Sequence, residues 1–504
     1  LTDIIMVTKK TLINNSLSGL VQLIITALLT FICIPVFINK LGVELYGVFA
    51  IVSVIGNLNI FANLGLNTSL IKYISEQGKC PDSENDIFSS LLIIGVIIIP
   101  ITILAFILNR FLLIDVLNIP IQYYEQTKTL LFSLLISNFL LIVGQILTAV
   151  LDALQKIYLT NFAQLIYSII YWGGIICVTS LGYDLESIGW AVFTAAASWF
   201  LFVIGSFYVY WGPIKPYKLR QQFIPVAKKQ LLFGGKVYTS GLIGFCNEPL
   251  FKIIVSNIFG MHVVAYLEIA LKVRVQLTSI FSKLTMPLLP YLSQLTDKQS
   301  MAKLIKDLTS KLFLLVLPVC GMLSVGCEEI VSLWLRTDIF NYTIFIIGLV
   351  VPYLIFSPLT LPIYIYLTAK GHPGKTVVFQ SLSVVINICV FFMLYKFTNE
   401  YTIIISNILS YFVSYLLGLY YQKKYLAIHY QMNRSYILKI LILISIFMVI
   451  YFLKFYISSD ILKLLFISIS IPVMTIWIYK HLRIVTIDDL TRYFSDSKIA
   501  NRIY

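Results

Sequence analysis

The sequence predicts an all-α integral membrane protein of about fourteen transmembrane helices, as two six-helix bundles around a central cavity plus two C-terminal helices. Three observations predict it. The 504 residues are 59% hydrophobic and only 12% charged, with a mean hydropathy of +0.90, whereas a soluble protein carries roughly a quarter charged residues. Apolar runs of about 18 residues or more, long enough to cross a bilayer core, recur throughout. Polar residues inside these runs fall on helix faces. Asn15, Ser18, Gln22 and Thr26 form one stripe, Asn59, Asn63 and Asn67 a second, and Glu268, Lys272, Gln276, Ser279 and Lys283 a third. At about 3.6 residues per turn, each set covers about 100° of its helix. A polar group facing lipid is costly, so the stripes are expected to face a watery cavity between helices. The chain therefore reads as a transporter.

Apolar runs bounded by charges place the spans near 12–38, 45–74, 87–109, 127–150, 157–180, 187–211, 231–258, 262–292, 312–327, 342–369, 376–395, 401–421, 436–455 and 461–480. The first follows Lys9 and Lys10 and has no small-residue cleavage site, so it is expected to be a retained span and not a cleaved signal peptide. The ninth is short and is expected to extend into its flanks. The loop from Trp211 to Gln230 carries Pro213, Pro216 and Pro225 among basic residues and separates six spans from the next six. The expected units are residues 1–220, 221–430 and 431–504, the last holding spans thirteen and fourteen and a tail. An internal echo supports the halves: Asn39-Lys40-Leu41-Gly42 leads through Tyr46 into span two, and Asn257-Ile258-Phe259-Gly260 leads through Tyr266 into span eight.

The net charge of +14 resolves along the same spans. With the N-terminus cytoplasmic, 25 lysines and arginines fall in inner loops and ends, against seven outside: Lys40, Arg110, Lys128, Arg336, Lys396, Lys454 and Lys463. That asymmetry predicts both termini inside, and the basic loops meet anionic lipid and not nucleic acid. The seven cysteines form no CxxC pair, the four histidines are dispersed, and Asp488-Asp489 stands without a second acidic cluster, so no metal site, cofactor or catalytic constellation is expected.

Lys9-Lys10-Thr11-Leu12, the stretch from Ile38 through Gly42, Tyr46 and Gly47 to Asn63-Leu64-Gly65-Leu66, the segment Leu151-Asp152-Ala153-Leu154-Gln155-Lys156, and Phe251-Lys252 through Gly260 and Tyr266 to Lys272 resemble the polysaccharide transporter family of lipid-linked oligosaccharide flippases, the O-antigen type, in the multidrug/oligosaccharidyl-lipid/polysaccharide exporter superfamily. The resemblance spans about residues 10 to 420. It implies a substrate of undecaprenyl-diphosphate-linked oligosaccharide, moved from the inner to the outer leaflet of the bacterial cytoplasmic membrane for O-antigen, lipopolysaccharide or capsule assembly by alternating access. It also implies contact with membrane lipid and with other polysaccharide-assembly proteins, and leaves a coupling ion, proton or sodium, open. Family members often carry an acid just before the cation of span seven; here that place holds Phe251, so no coupling acid is carried over.

Such a substrate has a diphosphate, sugars and an isoprenoid tail. Lys272, ten residues past His262 and so about 15 Å along its helix, is the first anion-site candidate, followed by Lys252, Lys283 and Arg274. Glu268 precedes Lys272 by four residues and Glu248 precedes Lys252 by four, so each acid is a charge partner candidate on its own helix; Asp152 is a third. Arg274 lies about 200° around the helix from Lys272, so in a straight helix whose Lys272 faces the cavity, Arg274 is expected to face a neighbouring helix or the bundle junction. Asn15, Gln22, Asn59, Asn63, Gln145 and Tyr364 are sugar-facing candidates, with interhelical packing as the alternative for each. A cation-coupled multidrug exporter would favour acids in the cavity, where lysines dominate here. A polysaccharide polymerase or glycosyltransferase would need a sizeable extramembrane loop, and the outer loops are short, so the chain is not expected to be an enzyme.

Overall fold

The structure, a computed structural model, describes residues 9–56, 65–215, 223–232, 243–244, 246–285, 292, 295, 297–370, 372–428 and 434–481. Among them there is no strand, and the order is helix after helix: α1 (Lys9–Leu41), α2 (Val43–Gly56), α3 (Leu66–Gln77), α4 (Pro81–Ile107), α5 (Tyr124–Ala153), α6 (Ile157–Ser180) and α7 (Leu185–Tyr210). Next come α8 (Pro249–Phe259), α9 (Met261–Thr285), α10 (Lys298–Trp334), α11 (Ile339–Ala369), α12 (Pro373–Thr398), α13 (Thr402–Leu426), α14 (Arg434–Leu453) and α15 (Asp460–His481). Nine described segments are long and apolar enough to cross a membrane, and shorter apolar helices lie between them. The chain is a multi-pass membrane protein.

The chain divides into two compact units: Leu1–Glu268 with Phe392–Glu400, and Ile269–Phe391 with Tyr401–Tyr504. The core of the first is built where α3, α4, α5 and α7 meet, around Leu70, Ile87, Ile146, Trp199 and Trp211. The second has one core around Ile305, Ile363 and Tyr421, and another where Ile450, Ile467 and Ile471 of the last two helices meet Val325 of α10. As expected, span nine extends into its flanks. Asp297 begins it by accepting from the backbone N–H of Gln299 and Ser300, and hydrogen bonds from Ser300 and Gln299 hold its carboxyl below the usual range.

The internal echo has a geometric counterpart. Gly42 (φ 88°) separates α1 from α2, and Gly260 (φ 83°) separates α8 from α9. Both turns need the left-handed backbone that glycine adopts without steric cost.

Several loop lysines have specific partners in the first unit. Lys79 donates to the Trp211 carbonyl and lies 5.7 Å from the centre of its ring. The Lys215 N–H donates to Glu84 Oε2 at 2.8 Å, and Lys229 Nζ stands 3.7 Å from Asp86 Oδ2. The buried Gln230 donates to Asp86 Oδ1 and accepts from Ser90. Both described ends of the basic loop after α7 are thereby fastened onto the α3–α4 region.

Candidate functional site

Pro249 opens α8 at its first turn, Gly260 ends it, and the chain reverses directly into α9. Val255, Ser256, Val264, Ala265, Leu267 and Ile269 on the two helices are all buried, so this hairpin is surrounded by protein and not by lipid. Its tip is held from outside: Asn257 Nδ2 donates to the Val116 carbonyl at 2.8 Å, and Asn118 Nδ2 to the Ser256 carbonyl at 3.4 Å.

Within this apolar hairpin Lys252, 7% exposed, places its Nζ 2.6 Å from Glu268 Oε2. Each residue lies eight positions from Gly260, about 12 Å along its helix. Two ionised groups are costly inside a low-dielectric medium, and their mutual attraction offsets that cost only at short range. The sequence offers each lysine an acid four residues earlier on its own helix, but Lys252 takes Glu268 from across the turn. Glu248 instead occupies the N-cap position of α8, where its carbonyl accepts from the Lys252 N–H. Tyr46 is buried, its ring edge-on to Phe37 at 5.3 Å. The Glu268 carboxylate faces the Lys252 ammonium, which can donate hydrogen bonds to an anion.

The other cations are placed differently. Lys272 is half-buried one turn beyond Glu268. Arg274 meets neighbouring helices, as its angle from Lys272 predicts: Nη1 donates to the Tyr411 hydroxyl at 2.5 Å, and the guanidinium lies 5.1 Å from the centre of the Tyr353 ring. Tyr411 in turn donates to Asn407 Oδ1 at 3.0 Å. Lys283 continues α9, and its side chain lies outside the described residues.

Where the sequence reading expected a cavity wall on span one, that face meets α6. Asn15 Nδ2 donates to the Gln155 carbonyl and its Oδ1 accepts from the Tyr158 N–H, both at 3.1 Å, so its amide closes the α5–α6 turn and caps α6 from another helix. Asn161 donates to Ser18 at 2.9 Å, and Gln22, Thr26 and Ser168 continue the seam. Gln145 accepts from Asn67 at 3.3 Å, Asp152 accepts from Thr160 at 2.9 Å, and the Tyr364 hydroxyl accepts from Gln380 at 3.3 Å. Asn59 and Asn63 lie outside the described residues. Gln22 bonds to Thr26 on its own helix, and the other partners are interhelical or close a turn between helices, the packing chemistry that Ser, Thr and Asn supply in membranes.

A second buried pair was not singled out from the sequence. Lys454, 1% exposed, sits 2.8 Å from Glu329 Oε1 and donates to the Val325 carbonyl at 2.8 Å. Tyr451 and Phe455 place their rings 4.7 and 5.6 Å from its Nζ. Read locally, Lys454 is one more loop cation; only the aromatics flanking it hint that it turns inward. Nearby, an apolar cavity of about 410 Å³ opens between α10, α11 and α14, lined by Leu317, Gly321, Val351, Ile355 and Phe447. It suits hydrocarbon and offers little to a sugar or phosphate.

Residues 12–296 match the family described as polysaccharide biosynthesis protein. No curated protein sequence matches the chain significantly. Among solved structures, the fold is similar to the lipid II flippase MurJ in an inward closed conformation, with a TM-score of 0.73 and 14% identity over 93% of this chain and 99% of that one. It is also similar to multidrug resistance MATE family transporters of the MOP superfamily. The inward-facing form gives a TM-score of 0.61 at 14% identity, covering 81% of this chain and 98% of that one. The outward-facing form gives 0.59 at 15%, covering 83% and 96%. At these identities the likeness is one of fold.

Proposed function

Because the chain belongs to the polysaccharide biosynthesis protein family, we propose that it is a flippase, moving undecaprenyl-diphosphate-linked oligosaccharide from the inner to the outer leaflet of a bacterial cytoplasmic membrane for O-antigen or capsule assembly. The observation that carries the reading is Lys252, an ammonium held inside a membrane hairpin. Its role is to attract the diphosphate. Lys272 and Lys283 extend the same chemistry along span eight, and the polar seams supply hydroxyls and amides for sugars wherever the helices part. Both termini are cytoplasmic in this reading, which follows the lysine and arginine bias of the loops. The cycle is alternating access, with a proton or sodium ion as the candidate driving ion.

Purified protein in liposomes, given a fluorescently labelled lipid-linked oligosaccharide, is expected to move it across the bilayer without changing its mass. Lys272→Ala should slow that movement at unchanged protein abundance, and Lys252→Ala should slow it per molecule of folded, reconstituted protein. In cells lacking redundant flippases, Lys272→Ala should reduce surface polysaccharide, and Lys272→Arg should retain it. Lengthening of the saccharide, or undiminished movement by both alanine variants, would overturn the proposal.

A further inference from the structure

Lys252 has an unusual setting for a group that is to receive a phosphate, because a carboxylate already occupies it. The 2.6 Å contact joins adjacent helices of one hairpin, and the side chains are 9% and 13% exposed, so the acid is the more open member. The acid is held by an ammonium, a group that donates hydrogen bonds and would bind an external anion in the same way.

We propose that Glu268 is a built-in surrogate anion: its carboxylate holds the place on Lys252 that a phosphate of the substrate takes, and is displaced from it when substrate binds. This rests on the reading that the substrate is a diphosphate. With the carboxylate in place the pair is neutral, and the buried lysine has its countercharge while the site is empty. Leaving Lys252 alone would strand an uncompensated charge in the hairpin. The carboxylate is tethered to the same hairpin, so it competes at a high effective concentration. A monovalent anion offers the ammonium nothing that Glu268 does not. A diphosphate carries more charge and more acceptor oxygens, and can engage the ammonium through more than one of them. The exchange therefore selects polyanionic headgroups over chloride and single carboxylates. Glu268 leaves by turning about its own side-chain torsions, a change between staggered rotamers that breaks no backbone hydrogen bond.

The test titrates inorganic pyrophosphate into the purified full chain in detergent, by calorimetry at fixed salt. Glu268→Gln should bind pyrophosphate about tenfold or more tightly than the unmodified chain, since it removes the competitor and keeps the shape. Adding Lys252→Gln should abolish the gain. Equal or weaker binding by Glu268→Gln, or a gain that survives in the double variant, overturns the proposal. If Glu268→Gln does not elute as folded protein, Glu268→Asp keeps the charge but shortens the reach. It should show a smaller gain, and no gain overturns the proposal. Chloride should not compete in the unmodified chain. The liposome assay is read separately. A chain that moves no lipid-linked saccharide while Glu268→Gln still gains affinity defeats the transport reading and leaves the surrogate anion standing. Movement that depends on Lys252 with no gain in Glu268→Gln does the reverse.

Discussion

Gly47 packs directly on the backbone of Met261: a methyl group at its α-carbon would collide with the Met261 carbonyl oxygen. This contact sets α2 against the start of α9, and Tyr46, the preceding residue, is buried beside it. Gly47→Ala cannot be relieved by a side-chain rotation, because the obstacle is backbone. It should lower stability by about 1–3 kcal/mol, the usual cost of overpacking, seen as an earlier thermal unfolding transition in detergent. An unchanged transition would mean that α2 and α9 are not apposed as described.

The pair formed by Lys454 and Glu329 fastens the last two helices to α10. Removing one partner strands the other, so Lys454→Ala or Glu329→Ala should each cost about 3–5 kcal/mol. Replacing both with leucine should cost much less, because two buried apolar side chains need no countercharge. A double-mutant cycle on thermal unfolding separates the cases. Additive losses would exclude the pair.

Asn15 is predicted to matter for stability and not for substrate. Asn15→Ala removes the cap on α6 and should cost about 1 kcal/mol, with pyrophosphate affinity unchanged. Asn15→Asp keeps the oxygen that receives the Tyr158 N–H and should recover part of the loss. A drop in affinity at unchanged stability would place Asn15 in the site after all.

Arg274 lies against Tyr411 and Tyr353. Lysine cannot reproduce both the planar stack and the fixed N–H geometry, so Arg274→Lys should behave like a loss of the group. The cost should be on the order of 1 kcal/mol of stability from the cation–π contact and hydrogen bond. Tyr411→Phe should cost a similar amount, and the two effects should not add. Full additivity in melting temperature would separate the residues.

The structure departs from the sequence reading most clearly at Lys252. The i,i+4 rule assigns it Glu248, and such helix-surface pairs are worth only about 0.2–0.5 kcal/mol. In a hairpin the facing helix lies within reach of a long side chain, and the low dielectric of the interior strengthens whichever contact is made there. The turn at Gly260 decides the partner. Sequence spacing did predict that Arg274 would meet a neighbouring helix, because opposite faces of one helix cannot share a surface. It could not name Tyr353 and Tyr411, which lie some 80 and 140 residues further along the chain.

Local chemistry determined the membrane class and the succession of long apolar helices, since hydropathy is a property of short segments. Only the tertiary structure decided the polar partners: Asn15 with the α5–α6 turn, Lys454 with Glu329, and Lys252 with Glu268. An amide or a charge can hydrogen-bond many groups, and the one it takes is set by which helices lie side by side. Adjacency arises from packing over the whole unit, and no stretch of sequence encodes it alone.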